Sequence, residues 1–566
     1  MNDLTHKLLE RHFDTAFAAP DGIARLRELI LTLAMQGKLV EQDANDPPAG
    51  ELLKEIEAEK QRLVKAGKIK QPKPLPPINP DEVHYELPQG WEWVRLGEIG
   101  IINPRNNAED TESSGFVPMP LIPEGYSEKH QFEERPWSEI KKGYTHFSNG
   151  DVGMAKITPC FENAKSCVFS GLPNGVGAGT TELHIFRNSF NSVVPRYLLY
   201  YLKNPHYIAN TVPKMTGSAG QKRVPTPYFT EQPIPLPPIQ EQHRIVARID
   251  QLMAGCDDLE KLRKAQATRR LAVHAAAIKQ LLDAPDGSAW SFIQQHFGEL
   301  YTVKQNIDEL RKAILQLAVM GRLVEQDPND PPASELLKEI EAGKQRLVKA
   351  GKIKKPKPLP PIKPEEVPYE LPQGWEWVRL GRAGAFERGK SKHRPRNDKR
   401  LFEHGEYPFV QTGDVSRSKL TENKILICNS YYNEFGLKQS RLWDKGTLCI
   451  TIAANIAETG FLGMDACIPD SVVVFLGVDK SLEKLVKVFI DVAKEDLEHF
   501  APSTAQKNIN LGIINELLFP LPPLPEQHRI IAEIDQLMAL CNRLDQQLGA
   551  TTDKETKLLN AMMAQV

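Results

Sequence analysis

The sequence predicts an α+β protein in which two mixed α/β domains are held apart by two long antiparallel coiled-coil helices, in a circular pseudo-twofold arrangement. Two internal repeats predict this architecture. Residues 26–97 return as residues 310–381 and differ at only 13 of the 72 aligned positions. Residues 235–256 return as residues 520–541. Because the repeats are out of phase with the chain ends, the C-terminal tail and the N-terminal head together match the unbroken centre, as in a ring cut once.

The repeats enclose two segments that do not resemble each other, at about 98–232 and 382–517. Each has roughly 135 residues, which is the size of a single domain. We therefore divide the chain into five parts: an N-terminal helical region with a proline-rich strap (1–90), a first variable domain (91–234), a central conserved region (235–374), a second variable domain (375–519) and a C-terminal spacer helix (520–566).

The head of each repeat predicts two helices followed by an extended strap. The first helix has one apolar face and ends at Gly37, and a second, charged helix ends at Gly67. Six prolines within residues 71–88 predict a semi-rigid strap. The strap leads into the sequence WEWVRLG, which predicts the first strand of each variable domain. Trp91 and Trp93 could stack on bases, but their presence at the start of both domains favours core anchoring.

The tail of each repeat predicts a long helix with a coiled-coil seam. After the sequence PLPP, apolar residues recur at alternating steps of four and three. A helix of about forty residues would be a rod of roughly 60 Å. We expect this seam to bind partner proteins through six apolar residues: Ile245, Ile249, Leu252, Ile530, Ile534 and Leu537.

Short strands and helices alternate in the variable domains. The segments LICNSYY, GTLCITI and SVVVFLGV predict strands in the second domain, and SLEKLVKVFIDVAKEDLEHF predicts an amphipathic helix there. The segment PRYLLYYLKNP predicts a helix in the first domain. We expect two related α+β folds with divergent surfaces.

The composition is that of an ordinary globular protein, with 41% hydrophobic and 25% charged residues. The net charge of -2 excludes a uniformly basic coat for nucleic acid but not a local basic groove. No apolar run approaches the roughly 18 residues that span a bilayer, so we expect no membrane partner. Seven cysteines without a CxxC pair favour reduced thiols in a cytoplasmic protein, and no Cys/His cluster has the spacing of zinc ligands.

Residues 384–391, GAFERGKS, match the phosphate-binding loop GxxxxGK[ST]. In such a loop the backbone amides and Lys390 would hold phosphates, and Ser391 would hold magnesium. The motif requires a helix after the loop, but the next segment contains Pro395 and has no apolar face. The first variable domain has no counterpart, so we expect no nucleotide site here.

The sequence NDPP at 45–48 and 329–332 resembles the NPPY-type motif of amino-methyltransferases. That motif needs an aromatic residue to stack on a flipped base, and alanine follows NDPP in both copies. No glycine-rich cofactor loop accompanies it. A helix start explains these residues better, with the aspartate as the cap and proline in the first turn.

The sequence EQHR at 241–244 and 526–529 places an acid, an imidazole and a cation together twice. We find neither a nucleophile in a recognisable turn nor an acid pair with lysine that would complete a hydrolytic site. The motif stands where a proline-rich segment enters the long helix, so a first-turn acid and helix packing explain it better. We expect the chain to have no catalytic residues.

DNA recognition remains, and two segments carry its candidate residues. The segment 388–400, RGKSKHRPRNDKR, has seven arginines and lysines against one aspartate, which suits phosphate and guanine contacts. The alternative is a solvated loop. The sequence SAGQK at 218–222 aligns with STAQK at 503–507, and small residues before Gln-Lys suit close approach to a DNA backbone. Structural packing is the alternative there. The candidate DNA-binding residues are Gln221, Lys222, Arg223, Arg388, Lys390, Lys392, Arg394, Arg396, Lys399, Arg400, Gln506 and Lys507.

Over essentially the whole chain, this arrangement resembles the specificity subunit of a type I restriction-modification system. The resemblance lies in the WEWVRLG entry to each variable domain, the PLPPxxEQHRI exit from it and the heptad helix that follows. It implies that each variable domain is a target-recognition domain that reads one half of an asymmetric, bipartite DNA sequence. The conserved helices would then set the number of unread base pairs.

The resemblance also implies partners and cofactors. The partners would be double-stranded DNA, two methyltransferase subunits and two motor-nuclease subunits. S-adenosylmethionine, ATP and magnesium would bind to those subunits, with no cofactor in this chain. The chain would therefore specify the target without catalysing a reaction.

Two other functions are compatible with the residues. A coiled-coil scaffold that binds no DNA is supported by the nearly neutral charge, and it would show no salt-dependent DNA binding. A phosphate-loop enzyme built around 389–391 would lose nucleotide binding on replacement of Lys390 by alanine, whereas DNA recognition predicts only altered DNA affinity. Neither the target sequence nor the spacer length follows from the residues.

Overall fold

A computed structural model describes residues 3–67, 69, 71, 73–83, 85–218, 220–283, 287–499 and 509–565. The chain forms two compact units, one of Met1–Gln266 with Ala550–Val566 and one of Ala267–Gly549. The division falls within both long helices. The C-terminal segment therefore belongs to the N-terminal unit, which confirms the circular arrangement predicted from the out-of-phase repeats.

The helices follow the repeat in both units. From the N-terminus to the central long helix they are α1 (Asp3–Phe17), α2 (Gly22–Met35), α3 (Ala49–Lys65), α4 (Leu96–Ile99), α5 (Trp137–Ile140), α6 (Pro195–Leu202), α7 (Pro205–Thr211), α8 (Thr226–Glu231) and α9 (Ile239–Asp283). The helices that follow are α10 (Ser288–Gln295), α11 (Phe297–Leu300), α12 (Lys304–Val319), α13 (Ala333–Lys349), α14 (Leu380–Ala383), α15 (Thr412–Arg417), α16 (Glu434–Lys438), α17 (Lys480–Val492), α18 (Lys494–His499), α19 (Leu511–Glu516) and α20 (Leu524–Met563).

The strands lie within the variable domains and at their borders. In the first unit they are β1 (Glu92–Arg95), β2 (Ile101–Ile102), β3 (Ser113–Val117), β4 (Glu133–Pro136), β5 (Thr145–Ser148), β6 (Val152–Ala155), β7 (Ser166–Val168), β8 (Val176–Gly179), β9 (Leu183–Arg187) and β10 (Pro233–Leu236). In the second unit they are β11 (Glu376–Arg379), β12 (Ala385–Arg388), β13 (Tyr407–Pro408), β14 (Lys424–Ile425), β15 (Tyr431–Tyr432), β16 (Leu442–Trp443), β17 (Leu448–Thr451), β18 (Thr459–Leu462), β19 (Ala466–Cys467), β20 (Val472–Leu476) and β21 (Leu518–Leu521).

The two variable domains share an α+β composition but differ in sheet layout. The first has two four-stranded sheets, with strand orders β2-β9-β6-β7 and β4-β3-β8-β5. The second has a five-stranded sheet of order β12-β20-β17-β18-β14 and the short pairs β13-β15 and β16-β19. In both, a helix follows the last strand of the main sheet, α6 after β9 and α17 after β20.

Each variable domain begins and ends at one antiparallel strand pair, β1 with β10 and β11 with β21. The proline-rich exit strand suits this role because proline has no N–H to leave unpaired at the outer edge. The carbonyls of Pro235 and Pro233 accept hydrogen bonds from the hydroxyls of Tyr197 and Tyr201 on α6, at 2.8 Å each. The domain is therefore an insertion whose two ends meet at the same place on the framework.

The tails of the long helices occupy equivalent positions. In the first unit the end of α20 packs on the head helices through Leu559 and Met562, next to Phe17. In the second unit the end of α9 packs through Ala277, and buried His274 faces Tyr301 at 3.1 Å between Nε2 and the hydroxyl. With an ungapped offset of 285, Leu559 matches His274 and Met562 matches Ala277, so the repeat continues to the end of both helices.

The helices predicted from the head and tail repeats are confirmed. Helix α9 has 45 residues and α20 has 40, and Gly37 and Gly67 end α2 and α3 in the left-handed conformation. The predicted strand LICNSYY is wrong in part. Strand β14 ends at Ile425, before this segment, and Leu426 and Ile427 are exposed, while Tyr431–Tyr432 at the end of the segment form β15.

Candidate DNA interface

Each variable domain is fixed to its framework by a repeated buried contact. The indole N–H of Trp91 donates to Oε2 of Glu241 at 3.0 Å, and Trp375 donates to Glu526 at 2.8 Å in the second unit. Burial raises the pKa of both glutamates. Trp91 is buried, which confirms core anchoring, and Trp93 packs against Tyr85 with ring centroids 5.1 Å apart.

The NDPP and EQHR motifs meet in each unit through an ion pair. Arg244 contacts Asp46 at 2.7 Å, and Arg529 contacts Asp330 at 2.7 Å. The structural interpretation of EQHR is therefore confirmed. The prediction that the aspartate of NDPP caps the next helix is wrong, because Pro48 holds the N-cap position of α3 and the aspartate pairs with the arginine instead.

The strap is anchored by the arginine that ends the entry strand. Arg95 binds both oxygens of Glu82 at 2.7 and 2.8 Å and donates to the carbonyl of Pro77 at 2.8 Å. The hydrogen bond from Arg95 lowers the pKa of Glu82 to about 2. Arg379 and Glu366 repeat this contact in the second unit at 2.9 Å. The framework thus presents both variable domains in the same way.

The basic segment 388–400 starts on β12, whose last residue is Arg388, and continues as an exposed loop. Its seven cations, Arg388, Lys390, Lys392, Arg394, Arg396, Lys399 and Arg400, are all exposed. The loop is positioned by backbone contacts, in which Lys390 N donates to the Ile468 carbonyl at 3.1 Å and Lys392 N donates to the Gln439 carbonyl at 3.2 Å. The structure therefore brings these candidate residues together on one surface of the second domain.

The arginines of this loop are engaged with acids, whereas its lysines are not. Arg396 forms an ion pair with Asp470, and Arg394 lies 3.8 Å from the same carboxylate. Arg400 binds Asp398 at 2.7 Å, and its hydrogen bond lowers the pKa of that carboxyl. Arg388 donates to the Asp470 carbonyl. Within the described residues, no acid lies at ion-pair distance from the three lysines: Lys390, Lys392 and Lys399.

The GxxxxGKS match at 384–391 does not form a phosphate-binding loop. Residues Ala385–Arg388 are strand β12, and the N–H of Gly389 donates to the Val472 carbonyl at 3.0 Å. Ser391 is buried, and no helix begins directly after it. The N–H groups of Gly389 and Lys390 donate within the domain, so this segment does not have the geometry of a phosphate-binding loop.

In the first domain, residues 216–218 and 220–223 form a hairpin closed by an antiparallel bridge between Thr216 and Arg223. Gln221 and Lys222 are exposed on the strand that leads to Arg223. Arg223 binds Glu182 with two hydrogen bonds of 2.8 and 2.9 Å, and these lower the pKa of that glutamate. Arg223 therefore holds the hairpin in place while Gln221 and Lys222 project.

Next to this hairpin lies a polar cavity of about 310 Å³ that sequence reasoning missed. It is lined by Asn103, Arg105, Tyr144, His146, Lys156 and Thr181, with four further residues, and no acidic side chain lines it. Lys222 N donates to Thr158 Oγ1 at 3.1 Å, and Val224 N donates to the Lys156 carbonyl at 2.8 Å. These contacts attach the hairpin to the cavity wall.

The cations of the cavity stand on separate segments, so no local motif could reveal them. Arg105 follows β2 and donates to the Tyr144 carbonyl at 3.3 Å. Lys156 follows β6. His146 is held as a neutral imidazole, because burial lowers its pKa and its Nδ1 accepts from Asn106 N at 3.1 Å. Cations and uncharged donors without acids form a surface for a phosphate or for acceptor-rich base edges.

The remaining predicted residues have different positions. Gln506 and Lys507 lie outside the described residues. The six seam residues predicted to bind partners point into their own units: Ile245, Ile249, Ile530 and Ile534 are buried, and Leu252 and Leu537 are partly buried. Partner binding through these positions stays a prediction.

The described ranges contain neither a metal cluster nor a membrane-spanning helix. No group of three or more His, Cys, Asp or Glu side chains there could hold a metal ion. No helix in that part of the chain is both long enough and apolar enough to cross a membrane.

Comparison with known proteins gives a consistent result. Residues 88–269 and 372–551 match the family described as type I restriction modification DNA specificity domain. The chain is 44% identical to the type I restriction enzyme EcoAI specificity subunit of Escherichia coli, over 96% of this chain and 93% of that protein. It is 41% identical to the EcoEI specificity subunit of Escherichia coli, with the same coverage.

A structural comparison also finds a crystal structure of the HsdS subunit from Thermoanaerobacter tengcongensis. That structure has a TM-score of 0.49 and 20% sequence identity, and the match covers 85% of this chain and 98% of that chain. The two family segments correspond to the two variable domains, each with its border strands and the start of its long helix. The chain belongs to the DNA specificity subunits of type I restriction-modification systems, which recognise DNA and are not themselves catalytic.

Proposed function

We propose that each variable domain reads one half of an asymmetric, bipartite duplex target, and that the long helices set the number of base pairs between the halves. One observation carries this proposal: the duplicated framework holds two unlike domains through the same contacts, Trp91 to Glu241 and Trp375 to Glu526. Two variable domains that are attached in the same way but have different surfaces suit a target with two different halves at one fixed separation.

The candidate surfaces support DNA as the ligand. In the second domain, Lys390, Lys392 and Lys399 are exposed and have no acidic partner in the part of the chain that the structure describes. In the first domain, the cavity with Arg105 and Lys156 has no acidic side chain in its lining and adjoins the segment of the exposed residue Lys222. Lysines of this kind suit phosphate contacts, which supply affinity, while glutamine and arginine can read base edges.

We further propose that the two units dock two methyltransferase subunits and, with them, two motor-nuclease subunits. The repeat supports two copies of each partner, because equivalent faces recur once per unit. Helix α9 also exposes Leu259 and Leu262, with 47% and 60% of their surfaces accessible, which favours a protein partner along this helix. S-adenosylmethionine, ATP and magnesium would bind to the partner subunits and none of them to this chain. The complex would act on chromosomal DNA in the cytoplasm.

Selection from random duplex DNA tests the bipartite target. The chain would be purified with its accompanying subunits, bound to the random pool, and the retained DNA sequenced. We expect two short, unlike blocks at one fixed gap. A single block would contradict the two-domain proposal, and absence of enrichment with salt-insensitive retention of partner proteins would favour a scaffold without DNA binding.

Exchange of one domain tests whether the two halves are independent. Residues 98–232 would be replaced by the corresponding segment of another family member, since the domain enters and leaves through one strand pair. We expect one half of the selected target to change and the other half to stay the same. A change in both halves would show that the domains do not read independently.

A further inference from the structure

The spacer helices carry one repeated aspartate that contacts a cation on each variable domain. Asp250 on α9 and Asp535 on α20 occupy the same repeat position. In the first unit, Asp250 binds Arg196 at the start of α6, and in the second unit Asp535 binds Lys484 on α17. Helices α6 and α17 both follow the last strand of the main sheet of their domain. The aspartate at this repeat position therefore forms an ion pair with an arginine in the first unit and with a lysine in the second.

The contact between Arg196 and Asp250 in the first unit restricts the orientation of both side chains. Arg196 grips Asp250 with both terminal nitrogens, at 2.6 Å to Oδ2 and 2.7 Å to Oδ1. The same guanidinium binds Glu128 with two hydrogen bonds of 2.8 Å. The hydroxyl of buried Tyr200 contacts Glu128 and lies 2.5 Å from Asp250 Oδ1. Because a planar guanidinium fits a carboxylate in one orientation, this cluster fixes the rotation of α6 on α9.

The contact between Lys484 and Asp535 in the second unit restricts the orientation of the side chains much less. Lys484 Nζ lies 3.1 Å from a single oxygen of Asp535, and the two side chains are 48% and 66% exposed. An ammonium is a point charge on a flexible stem, and an exposed pair of this kind contributes little. This ion pair by itself therefore sets no single orientation of α17 on α20.

A second framework residue shows the same asymmetry. Oε1 of Gln242 accepts a hydrogen bond of 2.7 Å from the N–H of Val194, which is the N-cap residue of α6. The corresponding oxygen of Gln527 is buried and has no hydrogen-bond partner among the residues described. At the same place in the second unit, Asp479 at the start of α17 instead contacts His528 at 3.2 Å. The framework glutamine is therefore used as an anchor in the first unit only.

We infer that Asp250 and Gln242 form a socket that fixes the orientation of the first recognition domain on its spacer helix, and that Asp535 and Gln527 form no such socket in the second unit. This inference rests on the proposed bipartite function and adds to it the positioning residues that set the spacing. Arg196 acts through Asp250 as a positioning residue, and the first half-target is consequently read at a defined distance and phase.

The test uses the complex of the full chain with its methyltransferase subunits. Methylation rates would be compared on targets with the native spacer and with spacers one base pair longer or shorter. We expect R196K and D250N to reduce the preference for the native spacer about tenfold, because one charge-assisted hydrogen-bond pair is lost. R196K keeps the positive charge but loses the planar guanidinium that binds both oxygens of Asp250. Its effect therefore separates the contribution of a fixed orientation from that of charge attraction. D535N and K484M should change the preference less than about twofold.

The control variant D258N removes an exposed acid of α9 that pairs with Lys261 on the same helix, and it should leave spacer preference unchanged. If the wild-type complex shows no preferred spacer, the bipartite function itself fails. If it shows one and R196K and D250N retain it, the inference is overturned. Amide exchange on the full chain alone gives a second measurement: D250N should increase exchange in α6, whereas D535N should leave α17 unchanged. Equal protection of α6 in D250N and wild type would also overturn the inference.

Discussion

The seven cations of the segment 388–400 differ in what they contact before DNA binds. Arg394 and Arg396 share Asp470, and Arg400 is held by Asp398. An arginine in such a pair must exchange its carboxylate for a phosphate, so little net attraction is gained. An unpaired lysine exchanges only water and counterions, and release of those counterions favours binding. The three lysines should therefore supply most of the nonspecific affinity of this loop.

Replacement of Lys390, Lys392 and Lys399 by glutamine tests this assignment. We expect weaker DNA binding, and a plot of log affinity against log salt concentration that is less steep by about one unit per lysine. Fluorescence anisotropy over a range of salt concentrations measures both quantities. The control K54Q removes an exposed lysine of α3 and should leave the slope unchanged. An unchanged slope in the triple variant would place the phosphate contacts elsewhere.

Lys203 shows how one buried charge makes the first unit sensitive to pH. Its side chain is buried, and Nζ donates to the carbonyls of Gly125 and Ala164 at 2.7 and 3.0 Å. Burial lowers the pKa of Lys203 from 10.5 to about 8. Between pH 8 and 10.5 the unfolded chain binds a proton that the folded chain has released, so stability rises with pH in this window.

The variant K203M should remove that rise. Relative to the wild type, we expect the first unit of K203M to lose about 2 to 3 kcal/mol of pH-dependent stabilisation between pH 8 and 10. Calorimetric unfolding of both full chains at several pH values measures the difference in stability. Because both chains contain the same tyrosines, the effect of tyrosine titration on stability cancels in this difference. Parallel pH profiles for the two chains would show that Lys203 does not release its proton in the folded state.

Sequence reasoning identified the basic loop because its cations are contiguous. It missed the cavity of the first domain because Arg105 and Lys156 are separated by fifty residues and meet only in the folded sheets. It also did not foresee the ion pair between Arg223 and Glu182, which are 41 residues apart in the sequence. Pairing of charges depends on tertiary structure, which local composition does not contain.

At the scale of elements, the strongest periodic signals gave the correct structure. The heptad steps predicted α9 and α20, and the alternation in GTLCITI predicted β17. The segment LICNSYY forms a strand at its end, β15, but not at its start, because β-propensity measures how well residues fit a half-buried surface and Leu426 and Ile427 lie beyond the end of the edge strand β14. Leu426 and Ile427 are 53% and 73% exposed as a result.

The junction between the end of α9 and its head helix depends on a polar pair that the first unit lacks. His274 contacts Tyr301, and the corresponding pair in the first unit is Leu559 and Phe17. Burial lowers the pKa of His274 below 6.5, with a smaller opposing effect from Glu309. As pH falls through 6.5, the unfolded chain gains a proton that the folded chain resists, so this junction loses stability in acid.

The double variant H274L/Y301F places the apolar pair of the first unit in the second. We expect the acid sensitivity of the junction to disappear while the helices stay in place. Amide protection of α12, corrected for the intrinsic exchange rate and compared at pH 5.5 and 7.5, measures this. The single variant H274L is the informative control, since it leaves the Tyr301 hydroxyl without its partner and should lower protection at both pH values. Equal acid sensitivity in the wild type and the double variant would exclude His274 as its source.

At the scale of the whole molecule, the repeat gives both units the same packing of head helices and long-helix ends, although both chain ends belong to the first unit. The end of α20 packs in the first unit as the end of α9 packs in the second, with Met562 in the place of Ala277. The described residues next to both chain ends are helical, and the corresponding helices of the second unit are α9, which ends at Asp283, and α10, which begins at Ser288. A ring of this kind should accept a new opening at the internal connection if the old one is closed.

The alignment of the two copies also gives the length of the linker that would join Val566 to Met1 in a permuted protein. Val566 aligns with Leu281, and Met1 aligns with Pro285, so the internal copy has Leu282, Asp283 and Ala284 where the chain is open. A permuted protein that starts at Gly287, ends at Asp283 and joins Val566 to Met1 through Leu-Asp-Ala should therefore fold. Its circular dichroism spectrum, midpoint of unfolding and selected DNA target should match those of the wild type, because every core contact is retained. A permutant joined with no linker is the matched control and should be less stable, since the three residues that the internal copy has at this place are then missing. If the linked permutant fails to fold while the wild type folds, the two openings of the ring are not equivalent, and the pseudo-twofold description would hold for the cores but not for their connections.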